Sequence, residues 1–227
     1  MEQLEMYKKL AGEKAVEYIE DGMTIGLGSG STVYWMMKKV SELVKDGLTI
    51  QGVPTSKRTE GWAKEFGIPL VDFSNVEKID VAIDGADEID SELQLAKGGG
   101  GSLVREKIVD ILAEKFIVIA DKTKLVKTLG KFPLPVEVVP FGYEVTAKRI
   151  ANLGATPVLR MKDGKVFVSD NGNYILDCQF QAIEQPELLH EEIKGLVGVV
   201  ETGLFVNMAD IVIIGNEQGT EIITKNR

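Results

Sequence analysis

Phe116-Ile117-Val118-Ile119-Ala120 is an unbroken apolar run. A strand with one wet face alternates polar and apolar residues, so a run this short and continuous fits a strand covered on both faces. A second such run, Ile211-Val212-Ile213-Ile214, lies near the other end of the sequence. Ahead of the first run the pattern alternates between helix and strand. Leu4 to Glu20 places Leu10, Ala11, Ala15, Tyr18 and Ile19 at helical spacing and is broken by Asp21-Gly22. Met23 to Leu27 reads as a strand, and Val33 to Val44 as a helix with Trp35, Met36 and Met37 on its core face. Leu48–Val53, Ile68–Val71 and Ile79–Ile83 read as strands, and Thr59–Phe66 and Ser102–Lys115 as helices. This alternation predicts an α/β protein with a doubly wound, mostly parallel sheet.

After residue 130 the texture changes. Lys131 to Pro140 contains Pro133, Pro135 and Pro140 and reads as a domain crossing. A helix over Tyr143–Leu153 follows, then a strand over Thr156–Met161. The turn Asp163-Gly164 leads into Val166-Phe167-Val168 as a hairpin. Tyr174–Cys178 reads as a third strand, and Pro186–Lys194 as a helix with proline in its first turn. The expectation is a smaller α+β domain with an antiparallel sheet over 130–205. The last apolar run returns the chain to a Rossmann-like first domain, made discontinuous as 1–129 plus 206–227.

Composition narrows the function classes. The sequence is 44% hydrophobic and 27% charged, as in ordinary globular proteins. A formal charge of -9 disfavours general binding to nucleic acid, whose phosphates would repel it. Cys178 is the single cysteine, so no intramolecular disulfide can form; with no base near it in sequence, it reads as a small buried hydrophobe. Met1-Glu2-Gln3-Leu4-Glu5 has neither a basic nor an apolar leader region, so no signal peptide is expected. No apolar run approaches the ~20 residues of a membrane span. These readings predict a cytoplasmic protein with no membrane partner.

Two stretches have more chemistry than a core requires. In the first, Gly26-Leu27-Gly28-Ser29-Gly30-Ser31-Thr32 joins a strand to a helix. Its glycines let backbone N–H groups face a ligand, and its hydroxyls add donors at a helix N-terminus, an arrangement suited to phosphate. It is not a Walker A loop, and Ser31 stands where a dinucleotide fingerprint would have its third glycine. A purely structural helix-start turn remains the alternative. In the second, Asp84, Asp87, Glu88 and Asp90 follow the run Val81-Ala82-Ile83, and Lys97-Gly98-Gly99-Gly100-Gly101 then feeds a helix. Acidic side chains at a strand end and a glycine loop before a helix are how α/β folds build small-molecule sites. The carboxylates could be a solvated loop, a divalent-metal site through Asp84, Asp87 and Glu88, or an acid–base group. In the acid–base reading, Lys97 and Lys124 hold one carboxylate ionised while crowding raises another. Glu106 falls in the first turn of the following helix, able to point back over the loop; as a bland alternative, it simply complements the helix dipole. His190, the lone histidine, sits in an exposed-looking helix, so any proton chemistry falls to carboxylates and lysines.

Taken together, the segments resemble the ribose-5-phosphate isomerase A family. Gly28-Ser29-Gly30-Ser31-Thr32, Asp84-Gly85-Ala86-Asp87-Glu88, Lys97-Gly98-Gly99-Gly100, Arg105-Glu106-Lys107, Ala120-Asp121-Lys122-Thr123-Lys124 and Lys131 to Val138 carry the resemblance, in order along nearly the whole sequence. Ser29 stands where many members have threonine. The resemblance implies interconversion of D-ribose 5-phosphate and D-ribulose 5-phosphate in the pentose phosphate pathway, with neither metal nor organic cofactor. By matching positions, Glu106 is the proton-shuttling base, and Asp84, Asp87 and Lys97 assist ring opening and stabilise the enediolate. Substrate binding falls to Ser29, Gly30, Ser31, Thr32, Asp84, Gly85, Ala86, Asp87, Lys97, Gly98, Gly99, Gly100 and Lys124. A homodimer or homotetramer is implied, with the small domain near the subunit contacts. Two rivals are a sugar-phosphate-binding regulator, which would need no base and would usually carry a DNA-binding module, and an isomerase-deaminase of amino sugar phosphates, which would typically use a histidine.

Overall fold

The computed structural model describes residues 2–225. Met1, Asn226 and Arg227, which the sequence reading put at the two ends of the first domain, lie outside the described residues. The longer strands are β1 (Thr24–Leu27), β2 (Gln51–Pro54), β3 (Val81–Gly85), β4 (Phe116–Asp121), β5 (Leu134–Val138), β6 (Thr156–Leu159), β7 (Tyr174–Gln179), β8 (Val199–Thr202), β9 (Ile211–Asn216) and β10 (Gly219–Thr224). The α-helices are α1 (Glu2–Ala15), α2 (Ser31–Lys45), α3 (Lys57–Phe66), α4 (Leu103–Leu112), α5 (Tyr143–Ala151) and α6 (Pro186–Lys194). By contacts the chain falls into two compact units: Met1–Ala86, Arg105–Lys124 and Met208–Arg227 in one, Asp87–Val104 and Leu125–Asn207 in the other.

The first unit is built on a six-stranded sheet in the order β10-β9-β4-β3-β1-β2. All neighbours run parallel except β10, which pairs antiparallel with β9. The two apolar runs lie side by side, Ile117 opposite Ile211 and Ile119 opposite Ile213. Every residue of β4 is buried, as a strand covered on both faces requires. Met36, Met37 and Val40 of α2 are fully buried in the same core, so the methionines are packing residues rather than a pocket lining. From β1 the chain steps to β2 on one side and then to β3 on the other, making β1/β3 a topological switch point. In open parallel sheets the carboxyl ends of strands at such a switch leave a crevice that no connection covers. Ile68–Val71 forms only a single bridge, Gly52 to Leu70, and the chain adds β10, which sequence did not suggest.

The second unit contains a four-stranded antiparallel sheet in the order β8-β5-β7-β6, with a core that includes Leu134, Val136, Val138, Leu176, Cys178, Ile150 and Ile193. The turn Asp163-Gly164 has positive φ at both residues, 52° and 74°, and closes the short hairpin of Met161–Lys162 with Lys165–Val166 as a right-handed sheet twist favours. The proline-rich stretch contains regular structure over Leu134–Val138. These five residues are β5, an inner strand whose every residue is buried. Pro135 is tolerated there because its carbonyl accepts from Gly203 N at 2.7 Å. Its missing N–H points the same way, past the end of β8 at Thr202, where no ladder bond is lost. A smaller sheet pairs Glu88–Ile89, Leu95–Ala96 and Leu204–Phe205. No described helix is long and apolar enough to cross a membrane.

Candidate active site

In the first unit the residues singled out from sequence gather at the carboxyl edge of the sheet. Ser29 follows β1, and Asp84 is the fourth residue of β3, next to it in the sheet. The Asp84 carboxylate is fully buried, and its Oδ1 accepts from the N–H groups of Ser29 at 2.8 Å and Gly85 at 2.7 Å. Gly28 makes this approach possible, since a Cβ there would lie 2.3 Å from Asp84 Oδ1 and 2.6 Å from Asp84 Cα. Past it, Gly30 with φ 112° starts α2, and no side chain caps the helix. The first-turn N–H groups of Ser31 and Thr32 therefore form a donor set with the helix dipole behind it.

Ser29 has company that sequence reading missed. Its hydroxyl lies 2.9 Å from the hydroxyls of both Thr55 and Ser56 and 3.2 Å from that of Thr59, at the end of β2 and the start of α3. Thr59 Oγ1 donates to the Gly28 carbonyl at 2.8 Å, tying the glycine turn to α3. The available signal was Ser56, which caps α3 by accepting from Thr59 N, a Ser-x-x-Thr start just after an apolar strand.

Glu106 lies in the first turn of α4 and is 4% exposed. Its direction follows from two anchors along the helix. The C-terminal end of α4 is tied to the chain entering β3, with Glu114 N donating to Ile79 O at 2.8 Å. Val109 packs over the middle of the sheet, where a Cβ on Gly26 would meet it at 2.7 Å. Glu106 is one turn closer to the helix N-terminus on the same face, so it points to the carboxyl edge that holds Asp84. Lys124 ends the 3₁₀ turn after β4, at the same edge, and is half-buried. Glu106 and Asp84 are thus buried carboxylates at a switch point, which a helix-dipole partner alone would not need.

In the second unit Asp87 and the Lys97–Gly101 loop form a closed structure. Asp87 N donates to Ala96 O at 2.9 Å, and Asp87 Oδ2 accepts from Gly99 N at 2.8 Å. Gly101 N returns to Gly98 O at 2.9 Å. Lys97 is 2% exposed, with its ammonium 5.1 Å from the centre of the Phe205 ring and its N–H donating to Gly203 O at 2.8 Å. An ammonium is seldom buried without a use for its charge. Arg160 reaches the carbonyls of Gly98 and Gly99 at 3.0 and 3.2 Å.

Other side chains weighed from sequence have structural roles. Glu88 accepts from the N–H groups of Gly130 at 2.7 Å and Phe132 at 2.8 Å, which commits both its oxygens and explains its burial. Cys178 is fully buried, and burial pushes its thiol far above the usual range, as expected of a small hydrophobe. His190 is half-buried rather than exposed, its Nδ1 2.7 Å from Thr202 Oγ1.

An uncapped helix start beside buried carboxylates at a switch point is the arrangement of α/β enzymes that act on small anionic substrates. Within that class, the chain belongs to the ribose 5-phosphate isomerase A (phosphoriboisomerase A) family, whose model matches residues 51–219. Ribose-5-phosphate isomerase A 1 of Oceanobacillus iheyensis is 52% identical over 223 residues, 98% of this chain and 100% of that protein. A D-ribose-5-phosphate isomerase solved in complex with phospho-erythronic acid is 41% identical, with a TM-score of 0.95 over 97% of this chain and 99% of that one. The ribose 5-phosphate isomerase from Plasmodium falciparum gives 38% identity and a TM-score of 0.95 over 98% of this chain and 100% of its own.

Proposed function

We propose that the family's reaction, interconversion of D-ribose 5-phosphate and D-ribulose 5-phosphate, runs in this chain through an enediolate with Glu106 as the proton-shuttling base. In the forward direction the Glu106 carboxylate takes the proton from C2 of the open-chain aldose and returns it to C1, while a proton moves from O2 to O1. Negative charge builds on the substrate oxygens between these steps, and the enzyme must meet it with positive charge or donors already in place. Lys97 supplies such a charge, and Asp84 and Asp87 share the contacts to sugar oxygens and the opening of the furanose ring. Ser29, Gly30, Ser31 and Thr32 bind substrate with the uncapped start of α2, and Gly85, Ala86, Gly98, Gly99, Gly100 and Lys124 complete the binding set. The relative solved with phospho-erythronic acid supports this reading, because that ligand joins a phosphate to a planar carboxylate with the outline of an enediolate.

The burial of Glu106 on the α4 face directed to the carboxyl edge carries the assignment. A base in a desolvated position is poised for carbon acids in a way a solvated surface glutamate is not. Glu106→Gln keeps size and hydrogen bonding but cannot accept a proton. Its kcat should fall by about 10²–10⁴-fold or more while substrate still protects the protein against thermal unfolding. Turnover within a few fold of wild type would remove Glu106 from the role of base.

The reading extends to a cytoplasmic homodimer or homotetramer, with no organic cofactor or metal, in which 1–129 plus 206–227 is the catalytic domain and 130–205 lies near the subunit contacts. The subunit contact in 130–205 is supported by Phe141 and Val197, 94% and 82% exposed, on loops joined by the Val139 N–H donating to Gly198 O at 2.9 Å.

A further inference from the structure

We propose that Arg160, clamped by Asp177, is a positioning residue for the isomerisation, setting the orientation of the Gly99–Gly100 peptide so that the loop offers substrate the Gly100 N–H rather than the Gly99 carbonyl. The inference rests on the reading above, in which Lys97 and this loop contact substrate.

Arg160 occupies the link between β6 and the short strand Met161–Lys162. Its backbone is held on both sides, Arg160 N donating to Ile175 O and Phe167 N donating to Arg160 O, each at 2.9 Å. Its guanidinium engages Asp177 of β7 in two-pronged fashion, Nε to Oδ2 at 2.9 Å and Nη2 to Oδ1. The remaining face of the fork is spent on the loop, with Nη1 donating to the carbonyls of Gly98 and Gly99. Phe167 closes the assembly. Its ring centre lies 5.8 Å from the guanidinium carbon, and its edge fills the space at Gly101, where a Cβ would be 2.4 Å from Phe167 Cζ.

A trans peptide is planar, so the carbonyl of one residue and the N–H of the next point in opposite directions. With the carbonyls of Gly98 and Gly99 drawn to Arg160, the N–H groups of Gly99 and Gly100 turn to the other side. The first is found there, bonded to Asp87 Oδ2. Successive glycines have no side chains to choose between this orientation and its flipped alternative, and their backbone crosses between them at little steric cost. The flipped loop would present partial negative charge to an anionic substrate. The Gly98–Gly99 peptide is held as well by Gly101 N on its carbonyl and Asp87 on its N–H; for the Gly99–Gly100 peptide the choice falls to the planar fork, itself held by a bidentate carboxylate.

The test compares steady-state kinetics of Arg160→Ala, Arg160→Lys, Asp177→Asn and, as reference for the loop, Lys97→Ala. Arg160→Ala should lower kcat/KM by about tenfold to a hundredfold, the scale of a small misplacement of binding groups. Low-millimolar guanidinium, below denaturing levels, should restore part of the loss in Arg160→Ala and none in Lys97→Ala. Arg160→Lys should stay impaired, since a point charge cannot span both carbonyls and the carboxylate. A folded Arg160→Ala with kcat/KM within twofold of wild type overturns the proposal, as does a loss confined to the active fraction with KM unchanged and no guanidinium response. Should Arg160→Ala fail to fold, Asp177→Asn carries the test, and unaltered kcat/KM there overturns it equally. Intact turnover in Lys97→Ala would instead remove the loop from the substrate, and the inference with it. Loss in Lys97→Ala with none in Arg160→Ala removes Arg160 alone.

Discussion

Asp84 takes two N–H donors on one oxygen, from its own strand's next residue and from the turn after β1, while fully buried. That arrangement is possible only because residue 28 has no side chain. Gly28→Ala would push a methyl group into the carboxylate and backbone of Asp84, and because the nearest atoms include Asp84 Cα the strain cannot be relieved by turning a side chain. We expect a loss of about 1–3 kcal/mol of stability, read as a lower thermal midpoint, together with impaired turnover. An unchanged midpoint would show that β1 and β3 can separate at this point. Residues such as Asp84 and Glu106 were legible in sequence because polar groups stood where a strand end and a helix start are predicted. Arg160 was not, because its value comes from carbonyls 61 and 62 residues earlier in the chain. Glu88 was legible as a carboxylate but not as a structural one, since its partners at Gly130 and Phe132 lie 42 and 44 residues further along the chain.

At the scale of elements, β5 is the instructive case. Three prolines in Lys131–Pro140 argue against a central strand, yet Leu134–Val138 is one, because Pro135 falls where its neighbour has ended and Pro133 and Pro140 fall outside. Local propensity lost to the burial of Leu134, Val136 and Val138 on one face. The other face carries Glu137, also fully buried, whose Oε1 accepts from Ser169 Oγ and Asn173 Nδ2 at 2.8 Å and from Asn171 Nδ2 at 3.3 Å. Glu137 therefore orders the 169–173 turn. Glu137→Ala leaves those donors facing a cavity and should cost about 2–4 kcal/mol, whereas Glu137→Gln keeps an acceptor oxygen and should cost about half as much. Chemical denaturation of the two variants checks this, and equal losses would mean that the volume of the side chain, not its acceptor, is what the turn requires. The final strand β10 went unread because Gly219–Thr224 mixes polar and apolar residues in an edge position, where period-two patterning is weak.

At the scale of the whole molecule, the chain passes between its two compact units at residues 86/87, 104/105, 124/125 and 207/208. Two of these passages fall inside the segments that carry the proposed chemistry, between Asp84 and Asp87 and between Gly101 and Glu106. The parallel sheet was legible because apolar runs alternate with helices over the first 120 or so residues, a signal local to each element. The grouping of Asp87–Val104 with the second unit was not, since it depends on two-residue strands such as Leu95–Ala96 pairing with Leu204–Phe205 across more than 100 positions. Proton transfer by Glu106 draws on the buried carboxylate, the helix that carries it and the isomerase family to which the chain belongs. It is tested most directly by NMR of ribose 5-phosphate in deuterated water with wild-type protein and with Glu106→Gln. Ribulose 5-phosphate should carry deuterium at C1 with wild type, and almost none should form with the variant. Deuterated product formed at comparable rates by both proteins, or product formed by neither despite binding, would contradict it.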